Sequence, residues 1–525
     1  MMLTVAAAAP IVLILLLMLG ARWSAARAGL AGLALAFVLA WTVFGFALPW
    51  AEALPGQAPG TGLAAHAGVL AEAAFLTLGI LWILLPALAL HEHQQRSGAL
   101  DALRGGLARV SNSRALQALL VGWCAALFLE GAAGFGTPIA LVAPLLVGLG
   151  VPPLQAVVLA LLGHAVGVSF GALGTPVLAQ AGLLGLSGAE VLDLATRTAV
   201  LHLALGGVLM FFFARSLSGA GLRLPGWHWA MGAALAFLLP SVLLAAWVGP
   251  ELATLGAALF SGTLLVLAMR LWSVHPAVAG TAAADAIPQR DAPPPAWRRA
   301  LWPYALLIAL VLVTRSVPGL SEALGGVLLQ WRWEVPGQQP FSGRMQPLTH
   351  PGTLLFAALL GAALLQGVPL RQLGGPLRTA ARRLLPVSVA LLAMLCLSRL
   401  LLHAGMVQAL QEAAVATLGR AWPALSPALG ALGSFVTGSA TASNVLFSSL
   451  QAQTAQALGL PVVALLAAQG FGAAVGNIVC PHNIVAGAAT VGLSGREADI
   501  LRRTLVPCAV YLALGGTLVA LLAWA

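Results

Sequence analysis

The sequence predicts an all-α integral membrane protein of about twelve transmembrane helices and two re-entrant hairpins, arranged as two inverted-topology repeats. Three observations carry this. The 525 residues are 60% hydrophobic and 8% charged, with a mean hydropathy of +0.97, and many apolar runs are long enough to span a bilayer. Long apolar runs in each half are interrupted by small and polar residues: Glu130-Gly-Ala-Ala-Gly-Phe-Gly-Thr-Pro138 and Gly171-Ala-Leu-Gly-Thr-Pro176 first, then Thr437-Gly-Ser-Ala-Thr-Ala-Ser-Asn444 and Gly476-Asn-Ile-Val-Cys-Pro-His-Asn483. Each pair leads into a nearly shared phrase, Gly185-Leu-Ser-Gly188 before Arg197-Thr198 and Gly492-Leu-Ser-Gly495 before Arg503-Thr504. Backbone freed by a breaker cannot be satisfied by hydrocarbon, so it persists only inside protein or beside water. Matching breaks in two halves point to a binding site between them.

Charge sets the orientation. The net charge is +10, and every basic residue other than histidine is arginine. These arginines sit in short loops beside apolar spans, which reads as the positive-inside rule and excludes a nucleic-acid partner. The groups are Arg22 and Arg27; Arg96, Arg104, Arg109 and Arg114; Arg215 and Arg223; Arg290, Arg298 and Arg299; Arg371, Arg378, Arg382 and Arg383; and Arg496, Arg502 and Arg503. Placing all of them in the cytoplasm puts both termini outside. It also requires that 115–150 and 426–456 turn back within the membrane, the first entering from the cytoplasm and the second from outside.

In order along the chain, residues 1–215 form the first repeat: three spans, the hairpin 115–150, a broken helix at 154–186 and a span at 198–214. The run Leu3 to Gly20 lacks a basic flank and a cleavage site, so it reads as a retained helix rather than a signal peptide. Residues 216–300 hold two connecting spans, 229–248 and 252–270, and a polar linker at 273–300 with Pro288 and Pro293-Pro-Pro295. Residues 301–525 repeat the first order with spans near 301–316, 353–369 and 384–404, the hairpin 426–456, a broken helix at 461–493 and a span at 505–524. Between them, 316–350 reads as an external loop near the aromatic interface, with Trp331-Arg-Trp333 and room for a short helix.

The breaks define a candidate binding site. Thr137-Pro138 and Thr175-Pro176 each place a capping hydroxyl before a proline at the first helical position, Pro481 starts a half-helix after Cys480, and Ser443 and Asn444 can cap the second arm of the second hairpin. Helix N-termini carry unpaired N–H groups and about half a positive charge, which suits a carboxylate. Four such ends, with Gly134, Gly136, Thr137, Gly174, Thr175, Ser439, Thr441, Ser443, Asn444, Asn477, His482 and Asn483 around them, make a small-anion site that needs neither metal nor cofactor. Cys124, Cys396, Cys480 and Cys508 stand alone in apolar stretches and indicate neither a disulfide framework nor a metal cluster. Glu130 is the deep ionisable group of the first break. A charge at that depth costs on the order of 2.5–3.5 kcal/mol on insertion scales, which marks it as functional by default and as a candidate proton carrier. Arg399 and His164 are candidate charge partners, Arg399 for the substrate or for Glu130, with snorkelling to the outer interface as its alternative.

The four interrupted motifs together resemble the L-lactate permease family over essentially the whole chain, from Glu130-Gly-Ala-Ala-Gly-Phe-Gly-Thr-Pro138 through Val168-Ser-Phe-Gly-Ala-Leu-Gly-Thr-Pro176 and Thr437-Gly-Ser to Gly476-Asn-Ile-Val-Cys-Pro-His-Asn-Ile-Val485. The resemblance implies a proton-coupled symporter of L-lactate, D-lactate or glycolate in the bacterial inner membrane. It also implies kinship with elevator-type transporters, among which homodimers are common, although no dimer seam is legible in the spans. A sodium-coupled carrier of larger carboxylates and an anion channel of the same shape are the rivals. A membrane enzyme would need a nucleophile–base pair or metal ligands at depth, which the sequence does not offer.

Overall fold

The computed structural model describes residues 2–21, 23–46, 61–99, 111, 113–134, 136–272, 296–317, 319–335, 338–494 and 496–524. The expected linker 273–300 lies outside the described residues up to 295, as do Arg22, Arg104, Arg109 and Arg290. Among the described residues, ten helices are long and apolar enough to cross a membrane. Nine coincide with expected spans, and the tenth is Arg114–Ala132, the first arm of the first expected hairpin. The remaining expected spans are shorter apolar helices, Met2–Met18, Leu301–Thr314 and Pro351–Leu365. Arg378, Arg382 and Arg383, expected in a loop, lie in the first turns of the helix Gly374–His403.

Burial separates the interrupted segments from the rest. The most apolar window is 94% buried in Arg114–Ala132, 100% in Pro153–Leu184 and 83% in Val462–Thr490, against 28% in Ala25–Thr42 and 33% in Glu497–Ala523. Freed backbone groups therefore sit inside protein, where other groups can satisfy them. The long helices Thr61–Arg96 and Gly374–His403 lie along each other, with Ala25–Thr42 against the latter. The broken helix of the first half packs against the hairpin of the second half, and Gly188–Gly219 packs on Val462–Gly476. The two halves thus share one interior.

The fold is not purely helical. The loop near 316–350 holds the short helix Leu320–Gly325 that its length allowed, and also a two-stranded antiparallel sheet, β1 (Leu329–Trp333) and β2 (Phe341–Met345). Trp331 pairs with Gly343 and Trp333 with Phe341. Aromatic residues at alternate positions favour a strand over a helix, a period the prolines obscured. Phe341 is fully buried, with its ring 4.4 Å from that of His403.

Beneath this sheet lies a buried ion cluster. Glu72 accepts from Arg399 Nε (2.8 Å), His403 Nε2 (2.9 Å) and the Ser342 backbone N–H (2.8 Å). Arg399 also donates to the Leu183 carbonyl at 3.0 Å, in the last turn of the first broken helix. Arg399 is therefore neither a partner of Glu130 nor a free snorkelling side chain. Its charge is spent on Glu72, a carboxylate the sequence reading passed over.

Candidate functional site

The first interrupted segment is a helical hairpin. Its arms, Arg114–Ala132 and Thr137–Gly148, run antiparallel: the Arg114 guanidinium lies beside Gly150 at the open end, and Gly122 faces Leu146 halfway along. The first arm contains a π-helical stretch, Leu120–Ala125, a feature common at functional sites. At the tip, Gly134 (φ +58°) and Gly136 (φ +74°) adopt left-handed conformations that a side chain would oppose. Gly136, not Thr137, is the N-cap, and it offers no side-chain bond, so the first N–H groups of this helix are left for another acceptor. The Thr137 side chain and Phe135 lie outside the described residues.

The first broken helix runs Pro153–His164, continues as a 3-10 stretch Ala165–Phe170, and then reverses hand at Ala172 (φ +42°), Leu173 (φ +56°) and Gly174 (φ +76°). Left-handed Ala and Leu cost on the order of 1–3 kcal/mol each and persist only where packing over-determines them. Both are buried. The Thr175 hydroxyl does not cap the following half-helix but donates to the Ala172 carbonyl at 2.5 Å, inside the reversed turn. The 3-10 stretch is tied from outside: the Ser169 hydroxyl donates to the Gly470 carbonyl (3.2 Å) and lies 2.9 Å from His202 Nε2.

A third element braces this region. The bend at 249–255, between the two connecting spans, enters the interior as the short buried helix Pro250–Ala253. Thr254 donates to the Gly167 carbonyl at 2.8 Å. A Cβ on Gly174 would meet Pro250, one on Gly167 would meet Thr254, and one on Gly131 would meet Leu255. Two motif glycines, Gly131 and Gly174, are thus explained by the backbone of this bend, and Gly167 by the Thr254 and Leu127 side chains. Gly174, expected at the ligand, faces this brace. The signal was present as Gly249-Pro250-Glu251 within apolar sequence, where it reads equally well as a loop between spans. Gly174→Ala is expected to lower stability by about 1–3 kcal/mol through strain and overlap. Thr254→Val should cost about 1 kcal/mol for the lost bond. Thermal unfolding of the purified variants measures both.

The second hairpin joins Trp422–Thr437 to Ala440–Ala457 through Gly438 and Ser439. Its arms are pinned by Ser443 donating to Gly430 O (2.7 Å), Gln451 to Ser426 O (3.3 Å) and Trp422 to Gln451 (3.0 Å). The cap of the second arm is Ser439, which accepts from the Ala442 N–H. Ser443 and Asn444, expected as caps, stand a turn further in. Asn444 instead donates to the Pro176 carbonyl of the first broken helix at 3.1 Å. The second broken helix passes from Val462–Gly476 to Pro481–Thr490, with Cys480 as its N-cap and the thiol facing the backbone N–H groups of His482 and Asn483. In its break the Asn483 amide donates to Asn477, and the Asn477 side chain reaches His164 of the first half. His164 also donates from Nδ1 to the Ala160 carbonyl at 2.7 Å. His482 is exposed beside Gly438 at the hairpin tip.

These four segments enclose a cavity of about 380 Å³, counting its open mouth. Glu130, Gly134, Gly136 and Thr175 line it from the first half, and Ser439, Thr441 and Asn477 from the second. Val168, Gly171, Ala172, Pro176, Gly438 and Ala440 complete the wall; all six lie within the interrupted motifs, but none was named as a ligand of the substrate. Gly174, Ser443, Asn444, His482 and Asn483 do not line it, although Asn483 Oδ1 points towards Gly136. Glu130 is 5% exposed, and its carboxyl lies in the space that a Cβ on Gly171 would take. Among the described residues it is the only ionisable side chain in the wall. The ends of three helices, beginning at Thr137, Thr175 and Ala440, meet there.

The sequence matches the L-lactate permease family over residues 4–524. It is 32% identical to the L-lactate permease of Salmonella typhimurium, covering 85% of this chain and 84% of that one. It is 28% identical to that of Bacillus subtilis over 92% and 89%. The Glycolate permease GlcA of Escherichia coli is 29% identical over 85% and 84%. Among solved structures, Neisseria gonorrhoeae MtrF shares the fold with a TM-score of 0.51 at 15% identity, covering 96% of this chain and 95% of that one. The Alcanivorax borkumensis YdaH transporter does so with a TM-score of 0.53 at 15% identity, covering 95% and 98%.

Proposed function

The chain belongs to the L-lactate permease family, and from that premise we propose that this multi-pass membrane protein carries lactate or glycolate across the bacterial inner membrane together with a proton. The observation that carries the reading is the cavity itself, a small space with one buried acid, three helix N-termini and no basic side chain among the described residues. A short monocarboxylate suits it. The carboxylate meets N–H groups and positive helix ends, and the 2-hydroxyl has Thr441 and Asn477 within the same wall. Glu130 carries the proton.

The two hairpins are read as re-entrant and the two halves as inverted repeats. Bonds between the halves support a single moving body: Asn444 to Pro176 O, Gln180 to Ser448 (3.0 Å) and to Leu466 O (3.2 Å), and Ser169 to Gly470 O. These ties let the cavity travel intact against the paired helices Thr61–Arg96 and Gly374–His403, as an elevator motion requires.

Uptake of labelled L-lactate and glycolate into proteoliposomes tests the reading. With the lumen alkaline, lactate should accumulate above the outside concentration, collapse when a protonophore is added, and not depend on sodium. Uptake that follows a sodium gradient and ignores pH would refute proton coupling. Thr441→Val should raise the half-saturation concentration about fivefold, since one hydrogen bond contributes about 1 kcal/mol, and an unchanged value removes Thr441 from the substrate.

A further inference from the structure

We propose that the protonated carboxyl of Glu130 is itself a ligand of the substrate, donating its hydrogen bond to the carboxylate of the transported anion. The proposal rests on the reading above of a carboxylate-carrying cavity, and it specifies how anion and proton are joined.

Carboxylates in protein sites are usually met by arginine, whose planar fork matches them. Here the arginine nearest in role, Arg399, is held by Glu72 and the Leu183 carbonyl and does not line the cavity. The elements packed on 126–132 carry Cys124, His164, Glu251, Arg270 and Tyr304. The Glu251 carboxyl is turned to Gly249 and does not line the cavity, and the Tyr304 ring packs edge-on against Phe128. Cys124 faces Ser261 at 3.4 Å, His164 is turned to Ala160 and Asn477, and Arg270 is exposed in the last turn of its helix. The second-half wall contributes Gly438, Ser439, Ala440, Thr441 and Asn477, none of them ionisable.

An incoming monoanion therefore shares a small, buried space with a single carboxyl. With Glu130 ionised, two like charges would occupy one low-dielectric cavity, an arrangement that carboxylate pairs resolve by keeping one proton. With Glu130 protonated, its O–H meets no hydrogen-bond acceptor among the described residues, and Gly134 and Gly171 leave the carboxyl bare on the cavity side. A hydrogen bond from a neutral acid to a carboxylate is of the strong, charge-assisted kind. The proton then belongs to the binding site, and the substrate binds only to the protonated protein. No bond to carbon forms or breaks: the proton stays on Glu130 while the substrate is held and leaves when the substrate has gone.

Calorimetry on the full-length protein in nanodiscs tests this with L-lactate and glycolate, titrated in two buffers of different ionisation enthalpy. As pH rises past the titration of Glu130, wild-type affinity should fall about tenfold per pH unit, with uptake approaching one proton per substrate bound. Glu130→Gln, whose amide still donates, should bind with a flat pH profile and take up no proton. Glu130→Asp, an acid set one methylene further back, should keep the slope at weaker affinity. Wild-type binding without proton uptake would overturn the pairing alone, as would equal uptake and slope in Glu130→Gln. If neither acid binds at any pH, the substrate reading falls and takes the pairing with it. Should Glu130→Gln not fold, the wild-type slope and the Glu130→Asp profile still decide.

Discussion

Glu130→Gln is expected to abolish accumulation of lactate against a gradient while exchange between preloaded lumenal and external pools continues. The effect is large because coupling is all or none for a single proton carrier. Each unit of pH gradient represents about 1.4 kcal/mol, an about tenfold concentration ratio of the coupled solute. A carrier with a permanently neutral Gln retains the anion site but not the proton, so its accumulation ratio relaxes to the value set by the anion alone. Exchange survives because it needs only the loaded carrier to cross. The geometry singles out Glu130 for this role, since it is the only ionisable side chain in the cavity wall among the described residues. Accumulation in Glu130→Gln that still tracks the pH gradient would assign coupling to another group.

Arg399→Leu is expected to lose stability rather than substrate affinity. Removing one partner of a buried ion pair costs about 3–5 kcal/mol, because the other charge is left without compensation. Glu72 and Arg399 have side chains 2% and 12% exposed, so neither can be rescued fully by water. His403 remains on Glu72 and softens the loss. The double variant Glu72→Gln/Arg399→Leu should recover much of it, since no unpaired charge is then buried. Thermal unfolding of the single and double variants reads this directly. A stable single variant with a raised half-saturation concentration would return Arg399 to the substrate.

Much of the candidate site was legible because membrane sequence is so monotonous. A glycine, proline or serine cluster in an apolar run has few meanings, and Glu130, Ser439, Thr441 and Asn477 stood out against it. They converge on one cavity. What was illegible depended on distance along the chain. Nothing near Glu72 announces that Arg399 will reach it across more than three hundred residues, and a carboxylate among alanines in a long helix gave no pattern to read. Left-handed Ala172 and Leu173 are likewise invisible, because the bend at 249–255 that packs on that break lies in another part of the sequence. The caps moved for a local reason. Gly136 and Ser439 begin their helices immediately after the tight turns, so the hydroxyls and amides further along were free for other bonds. Asn444 made one across the halves.

The central claim is that one cavity, built by both hairpins and both broken helices, receives the substrate. A cryo-electron-microscopy map of the full-length protein at saturating lactate tests it most directly. The account predicts density for one small acid between Glu130, the Gly134–Gly136 turn, Thr175, Ser439–Thr441 and Asn477. Density for the acid anywhere else, with that space empty, would contradict it.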